Sequence, residues 1–208
     1  LFYKAIKTIL GDHVNQAGSF VHPDYFRFDI THFEKITSDQ IRGIELKVNE
    51  QILLNTKLDV TIKSYDDAKT SGAEALFGEK YGDLVRVVRV GDYSLELCGG
   101  THVKRTGDIG SFKITEESSL SSGVRRIVAV TGQKAVEEMQ SNASVLQALQ
   151  QILTIPRSGI KQRVSGLIKE KKKLEKQLKQ KSVNKSLDID LMDDSVIVDG
   201  FQLIVKKI

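Results

Sequence analysis

A thiol and an imidazole stand four residues apart in the segment Cys98-Gly99-Gly100-Thr101-His102. Cysteine sulfur and histidine nitrogen are ligands that zinc prefers, and short spacing is typical of paired ligands. We interpret the two glycines as residues that let the backbone turn until both side chains face one ion. Because zinc takes three or four protein ligands, this pair predicts half of a metal site. The alternative is a buried cysteine beside a histidine with no metal role.

The composition is that of an ordinary globular protein, with 40% hydrophobic and 28% charged residues in a chain of 208. The single cysteine excludes an internal disulfide framework and favours a reducing compartment, so we expect a cytoplasmic location. No apolar run approaches the roughly 20 residues of a membrane span, so we expect no membrane partner. The chain begins with Leu1 instead of Met, and we expect it to be a fragment.

The hydrophobic pattern predicts the elements that must position Cys98. We expect an α+β fold whose mixed sheet is largely antiparallel. A hairpin over residues 84–97 brings Cys98 to the end of a strand. Thr37 or Ser38 is the expected N-cap of the second helix, and Gly11 ends the first. The predicted helices span residues 1–10, 38–54 and 67–76, and the strands lie within 17–33 and over 60–65, 84–90, 93–97, 109–115 and 124–131.

Beyond residue 132 the pattern becomes helical over residues 136–153 and 160–181, and two short strands follow at 196–198 and 202–205. We therefore predict three parts: an α+β domain over 1–132, a helical linker and possible oligomerisation segment over 133–183, and the start of an incomplete domain over 184–208. The second helix carries a coiled-coil-like stripe, for which we favour a helical hairpin, packed on itself or on a neighbour, over a long coiled coil. The stripe consists of Ile160, Val164, Leu167, Leu174 and Leu178.

The positive charge of the chain is concentrated in one segment. Residues 160–185 hold ten Lys or Arg against two Glu, a balance of +8, whereas the whole chain carries +4. Such a segment either meets a polyanion or forms a solvated helix face.

Five motifs carry a resemblance to a known family. In sequence order they are LGDHVNQAGS at 10–19, RFDITH at 27–32, ALFGEKYGD at 75–83, LCGGTHV at 97–103, and TGDIG at 106–110 with GVRRI at 123–127. On these motifs the chain resembles the editing region of the alanyl-tRNA synthetases, followed by a helical linker and the start of the C-terminal domain. The motifs lie between residues 10 and 127, and the resemblance they carry extends over about the first 132 residues, the predicted α+β domain.

The resemblance implies hydrolysis of alanine-specific tRNA that has been mischarged with serine or glycine. It also implies a zinc ion held by a His-x-x-x-His pair on a helix and by a Cys-x-x-x-His pair, which is Cys98 and His102 here. The metal would bind the aminoacyl ester or activate water. The first pair is expected just upstream of Leu1, so we predict a vacant or poorly occupied site. The other imidazoles are expected in capping, surface or packing roles instead: His13, His22 and His32.

The resemblance assigns the catalytic role to Gln16, whose amide would donate to the ester carbonyl or hold a water. The alternative is a glutamine that bonds only to the backbone. One arginine of the pair Arg125 and Arg126 would meet a tRNA phosphate, while the other makes a structural ion pair. For Arg27 and Asp29, which lie two residues apart, our preferred interpretation is a structural ion pair with each other. The remaining predicted substrate contacts are Gly18, Ser19, Gly99, Gly100 and Thr101. The alternative for Gly18 is that it only shapes a turn.

The basic helix is expected to meet tRNA through Lys169, Lys172, Lys173 and Lys176, and helix-mediated homodimerisation is an equal alternative. The leading hypothesis is therefore an editing module. A second hypothesis is a tRNA-binding and oligomerisation module without catalysis, and a free-standing editing protein is disfavoured by the long basic helix. No aminoacylation motif is found, so ATP binding is expected only of the full-length family.

Overall fold

A computed structural model of the chain describes residues 1–75, 81–192 and 195–204. Within them the chain divides into two compact units, Leu1–Asn142 and Ala143–Ile208. The predicted α+β class is confirmed, because the first unit combines helices with antiparallel sheets. Its elements are α1 (Phe2–Leu10), β1 (Gln16–Val21), β2 (Phe26–Thr31), α2 (Ser38–Leu53), β3 (Leu58–Ser64), α3 (Tyr65–Thr70), β4 (Leu84–Val90), β5 (Ser94–Leu97), a 3-10 turn (Thr106–Ile109), β6 (Phe112–Ser121), β7 (Val124–Thr131) and the start of α4 (Gly132–Leu153).

The larger sheet has the strand order β1-β2-β7-β6, and every neighbouring pair is antiparallel. Its apolar face, which includes Phe28 and Ile30, packs with helices α1 and α2 in one core. Helix α1 contributes Phe2 and Ile6, which lie on one face because they are four residues apart. Gly11 ends this helix as predicted, with a φ of 112° that favours glycine.

Helix α2 is fixed at its beginning and along its length. Thr37 is the N-cap, and its hydroxyl accepts from the Gln40 N–H while the Gln40 side chain accepts from the Thr37 N–H, which is a capping box. Further along, the Asn49 amide exchanges two hydrogen bonds of 2.9 Å with the backbone of Phe112. The helix is therefore tied to strand β6 by polar contacts as well as by its apolar face.

The smaller sheet has the order β3-β4-β5, and the alternation along its strands gives it two different faces. Val85 and Val87 pack with Leu97 and with Ala68 of α3 in a second core. Arg86, Val88 and Val90 alternate with these residues along β4 and lie on the opposite face. That face is completed by cross-strand neighbours: Leu58 opposite Val90, Val60 opposite Val88, Glu96 opposite Val88 and Ser94 opposite Val90.

Two predicted elements differ from the structure. The helix expected over 67–76 begins at Tyr65 and ends at Thr70, because the Ser64 hydroxyl caps it at the Asp67 N–H and Gly72 follows with a φ of 81°. The end of that prediction, residue 76, and most of the turn expected at 78–82 lie outside the described residues. The strand expected over 109–115 is instead the 3-10 turn followed by β6, which continues to Ser121.

In the second unit, α5 (Ile160–Met192) follows a 3-10 turn (Arg157–Gly159) and precedes the antiparallel pair β8 (Ser195–Val198) and β9 (Phe201–Ile204). Within the chain the side chains of the apolar stripe stay solvent-accessible, so among the described residues the hairpin does not pack on itself, and its packing on a neighbour stays a prediction. Val164 is 38% exposed, Leu174 63% and Leu178 74%. No helix in the described parts of the chain has both the length and the apolar character that a membrane span needs.

Candidate active site

Cys98 and His102 line the same cavity of about 170 Å³. Its walls come from the face of the smaller sheet that carries Val88 and Glu96, and Leu1 at the start of α1 also lines it. Cys98 follows β5 directly, so the strand sets its position, as the sequence predicted. The full lining is Leu1, Leu58, Val88, Val90, Ser94, Glu96, Cys98, His102, Val103, Thr106 and Ile109.

Arg86 of strand β4 organises the loop between the two candidate ligands. Its Nη1 donates to the Cys98 carbonyl at 2.8 Å and to the Gly100 carbonyl at 2.6 Å. The same nitrogen lies 3.1 Å from Nδ1 of His102. Because guanidinium is only a donor, Nδ1 is the acceptor, and the proton of the neutral ring then sits on Nε2. One arginine therefore contacts both the loop backbone and the His102 ring.

The environment of His102 favours a neutral imidazole. Desolvation by the surrounding protein and the positive charge of Arg86 lower the pKa of His102, and the Gly100 carbonyl and Glu96 oppose this shift. A neutral ring is the form that ligates metals. The sequence prediction of a ligand role is thus chemically consistent with the surroundings of this residue.

The glycines of the loop do not act as we predicted. Neither Gly99 nor Gly100 has a positive φ, so other residues can adopt the same backbone conformation. A Cβ on Gly99 would meet nothing within 4 Å, and one on Gly100 would lie 3.7 Å from the Cys98 sulfur. The turn is therefore held by Arg86, and the glycines leave open space beside the thiol. Thr101 is exposed in the same loop.

Gln16 begins strand β1, and its Nε2 donates to the Ser19 hydroxyl at 3.1 Å. Neither residue lines the cavity of Cys98 and His102. Two residues before Gln16, the Val14 carbonyl accepts a hydrogen bond of 3.3 Å from the Tyr3 hydroxyl of α1, and burial with the charges of Glu74 and Glu96 raises the pKa of Tyr3. Gly18 lies opposite Asp29 on β2, where an added Cβ would make only ordinary contact at 3.6 Å.

Both candidate phosphate-binding arginines hold carboxylates in the structure. Arg126 donates from Nε and Nη2 to the two oxygens of Asp29, each at 2.8 Å, and this bond lowers the pKa of Asp29. Arg125 donates from Nε to Glu117 at 2.6 Å. The two face opposite sides of β7, as adjacent strand residues do. The predicted ion pair between Arg27 and Asp29 is wrong. Asp29 is bonded to Arg126, and the Arg27 guanidinium lies 5.5 Å from the centre of the Phe20 ring.

The remaining imidazoles lie outside the cavity. Nε2 of His13 is 3.0 Å from Nδ1 of His32, which is buried at the end of β2. Burial and the neighbouring His13 lower the pKa of His32. Exposed His22 accepts from the Asp24 N–H at 3.2 Å in the turn between β1 and β2.

The lysines predicted to meet tRNA are exposed on helix α5: Lys169, Lys172, Lys173 and Lys176. The two acidic residues of this stretch, Glu170 and Glu175, lie 3.9 Å from Arg163 and 3.6 Å from Lys171. The four lysines thus leave a cationic surface along the helix.

Known proteins match both the cavity and the rest of the chain. The family described as Threonyl and Alanyl tRNA synthetase second additional domain matches residues 85–128, which include β4, β5 and the loop of Cys98 and His102. The alanine–tRNA ligase of Acetivibrio thermocellus is 45% identical over 100% of the chain, and that of Alkaliphilus oremlandii is 46% identical over 99%. The alanine–tRNA ligase of Fervidobacterium nodosum is 49% identical over 86% of the chain.

The resemblance to alanyl-tRNA synthetases is confirmed. These relatives support the assignment of the chain as a fragment of such an enzyme. The chain spans 24% of the length of the Acetivibrio and Alkaliphilus relatives.

The motifs of the alanyl-tRNA synthetases did not reveal the other polar residues of the cavity. Glu96 lines it two residues before Cys98, and Thr106 is fully buried with its hydroxyl accepting from the Thr56 N–H at 2.9 Å. Burial with the charges of Glu96 and Glu50 raises the pKa of Tyr93 to about 12. The alternation along β5 does indicate Glu96, because residues two apart on a strand share one face and Cys98 follows Glu96 by two positions.

The donor set fits a zinc ion of the kind expected in alanyl-tRNA synthetases, but only in part. A free thiol and a neutral imidazole line one cavity, which is the right chemistry for zinc. Within the residues that the structure describes, no group of three or more His, Cys, Asp or Glu side chains is placed to hold a metal. The described residues therefore supply two ligands, and a complete shell needs others.

Proposed function

We propose that this chain carries the editing site of an alanyl-tRNA synthetase and hydrolyses the ester of alanine-specific tRNA mischarged with serine or glycine. One observation carries the proposal: the two motif residues Cys98 and His102 line one small cavity, which Glu96 of β5 also lines. The family match over residues 85–128 covers this cavity wall. That family is described as the second additional domain of threonyl and alanyl tRNA synthetases, which supports tRNA as the partner.

The residues of the chain would bind and orient the aminoacyl ester. A cavity of about 170 Å³ is smaller than the pockets that hold drug-sized ligands, so it suits a small aminoacyl group. Val88 and Val90 form apolar walls, and Glu96 offers a negative charge to the ammonium group of the ester. Gln16 lies outside these walls, so a catalytic role requires the substrate to extend toward β1.

Cys98 and His102 would hold zinc together with the His-x-x-x-His pair that precedes Leu1 in the pattern of the family. The bound ion would polarise the ester carbonyl or lower the pKa of a water. Leu1 lines the cavity, so residues immediately before it would enter the same region. His102 must offer a lone pair to the ion, which requires that Arg86 gives up its contact with Nδ1. The ion would then bind Nδ1 directly, or it would bind Nε2 while the ring proton moves to Nδ1.

The test is the release of serine from seryl-tRNA by the 208-residue chain, and by the same chain preceded by a His-x-x-x-His helix, with zinc or with a chelator. We expect zinc-dependent hydrolysis that is stronger in the extended chain. The variants C98S and H102N should each remove it, whereas H22N, at an exposed histidine outside the cavity, should not. Hydrolysis that survives in the C98S/H102N double variant contradicts the proposal.

A second function, tRNA binding with self-association, is supported by helix α5. The helix exposes an apolar stripe on which Leu167 is 37% and Leu174 63% accessible, beside the four exposed lysines. Exposed apolar stripes are typical of helices that pair with another helix. Sedimentation of the wild type and of L174E/L178E would show a dimer that dissociates in the variant. A concentration-independent monomer in both proteins would exclude self-association.

A further inference from the structure

A second depression adjoins the cavity of Cys98 and His102. It has a volume of about 380 Å³ and shares Leu58, His102 and Val103 with that cavity. We call it the basic groove, because four of its lining residues are cationic: Lys57, Arg86, Lys104 and Arg105. Among the described residues, no acidic side chain lines it.

The cations of the basic groove are held by backbone contacts between distant segments. The Leu58 N–H donates to the Lys104 carbonyl at 3.0 Å, and Lys57 forms an isolated antiparallel bridge with Arg105. The Arg105 guanidinium donates to the Asn55 carbonyl at 3.1 Å. Because the segments are joined in this way, the exposed side chains of Lys57 and Lys104 project from a fixed backbone. A fixed cluster of cations is a site for an anionic ligand.

The position of the basic groove identifies the anion. An aminoacyl ester is attached to the last nucleotide of a tRNA, so the phosphodiester groups that join this nucleotide to the preceding ones must lie close to the cavity that takes the aminoacyl group. The groove is the cationic surface that meets the cavity directly, through His102 and Val103. Arg125 and Arg126 are already bonded to Glu117 and Asp29.

We propose that the basic groove binds the phosphodiester backbone of the unpaired 3′-terminal nucleotides of the tRNA. This inference rests on the proposed function, which places the aminoacyl group in the neighbouring cavity. Lys57 and Lys104 contribute charge to phosphates without reading the bases. Arg86 contributes less, since its Nη1 is already engaged by two carbonyls and His102.

The test measures binding of a fluorescein-labelled, uncharged RNA hairpin that ends in an unpaired 3′ CCA, over a series of salt concentrations. We expect the double variant K57M/K104M to bind this probe roughly tenfold more weakly at low salt. The slope of log affinity against log salt should fall by about 0.7–1 for each lysine removed. Substitutions of exposed lysines are expected to leave the fold intact, and urea unfolding checks this.

Two controls separate the groove from general electrostatics. The charge-matched variant K35M/K69M removes two exposed lysines of the same unit that do not line the groove, and it should bind like the wild type. A blunt-ended hairpin should bind K57M/K104M and the wild type equally. The proposal is overturned if K57M/K104M and the wild type bind the CCA hairpin equally. It is also overturned if K57M/K104M loses the same affinity for both hairpins, or if K35M/K69M loses as much affinity for the CCA hairpin as K57M/K104M does.

The same variants separate this proposal from the proposed function. If K57M/K104M loses affinity for the CCA hairpin while the chain preceded by a His-x-x-x-His helix releases no serine from seryl-tRNA in the presence of zinc, the groove stands and the editing function fails. If serine release continues in K57M/K104M with an unchanged KM, the groove fails and the editing function stands.

Discussion

The ion pair of Arg125 and Glu117 decides whether Arg125 stabilises the fold or binds tRNA. The Glu117 side chain is 4% exposed and that of Arg125 is 12% exposed, so both charges are largely removed from water. The Glu117 carboxylate also accepts from the Ile36 N–H at 3.4 Å, and its second oxygen has no hydrogen-bond partner among the described residues. Loss of the guanidinium would leave this carboxylate buried and uncompensated.

We therefore expect R125M to reduce the free energy of unfolding by about 3 kcal/mol or more, since removal of one partner from a buried pair costs about 3–5 kcal/mol. The lower end applies because the Ile36 N–H remains and Arg125 keeps some solvent contact. For a unit of this size that loss lowers the Tm by roughly 10 °C. The double variant R125M/E117Q should recover most of the loss, because a neutral amide replaces the buried charge.

Urea unfolding followed by circular dichroism measures these differences, with RNA binding recorded on the same samples under folded conditions. R125M should bind the RNA hairpin within about twofold of the wild type if the arginine has no phosphate partner. The reasoning is refuted if R125M unfolds within about 0.5 kcal/mol of the wild type, the range of ordinary surface substitutions.

Three further predictions follow from buried polar contacts. T106V removes the hydroxyl that accepts from the Thr56 N–H, and it should lower the free energy of unfolding in urea by about 1–3 kcal/mol. T106S keeps the hydroxyl and should cost less. An equal loss in T106V and T106S would contradict this prediction. Because the pKa of His32 is lowered in the folded chain, the unfolded chain binds more protons below about pH 6.5. The free energy of unfolding should therefore fall as the pH drops from about 7.5 to 5.5, and H32Q should flatten this dependence. A pH dependence that is unchanged in H32Q would contradict the prediction. R86M should change the rate at which a maleimide labels Cys98, with partial restoration in R86K, and an unchanged rate would show that Arg86 does not position the loop.

The local parts of the fold were predictable because their causes lie within a few residues. The capping box of Thr37 and Gln40 fixes the start of α2, and the alternation along 84–97 predicts the hairpin that ends at Cys98. The predicted position of α3 was wrong because the apolar pattern continues past Thr70, whereas the helix begins directly after its N-cap Ser64 and ends at Thr70.

The long-range contacts were not predictable from spacing. Arg126 pairs with Asp29, which is 97 residues away, and no local pattern favours it over the nearer Arg27. The basic groove likewise joins Lys57 to Arg105 through a bridge between separate segments. The candidate site was partly predictable, because the loop motif named Cys98 and His102, but the role of Arg86 depends on a contact between strand and loop.

The account depends on a single cation bound jointly by the Cys98 thiolate and the His102 imidazole. Cobalt(II) in place of zinc tests this directly, since a thiolate ligand produces an intense charge-transfer absorption and the visible bands report the whole ligand set. In the chain preceded by a His-x-x-x-His helix, we expect one cobalt per chain, loss of the charge-transfer band in C98S and altered visible bands in H102N. Visible bands that are identical in H102N and the wild type would contradict it.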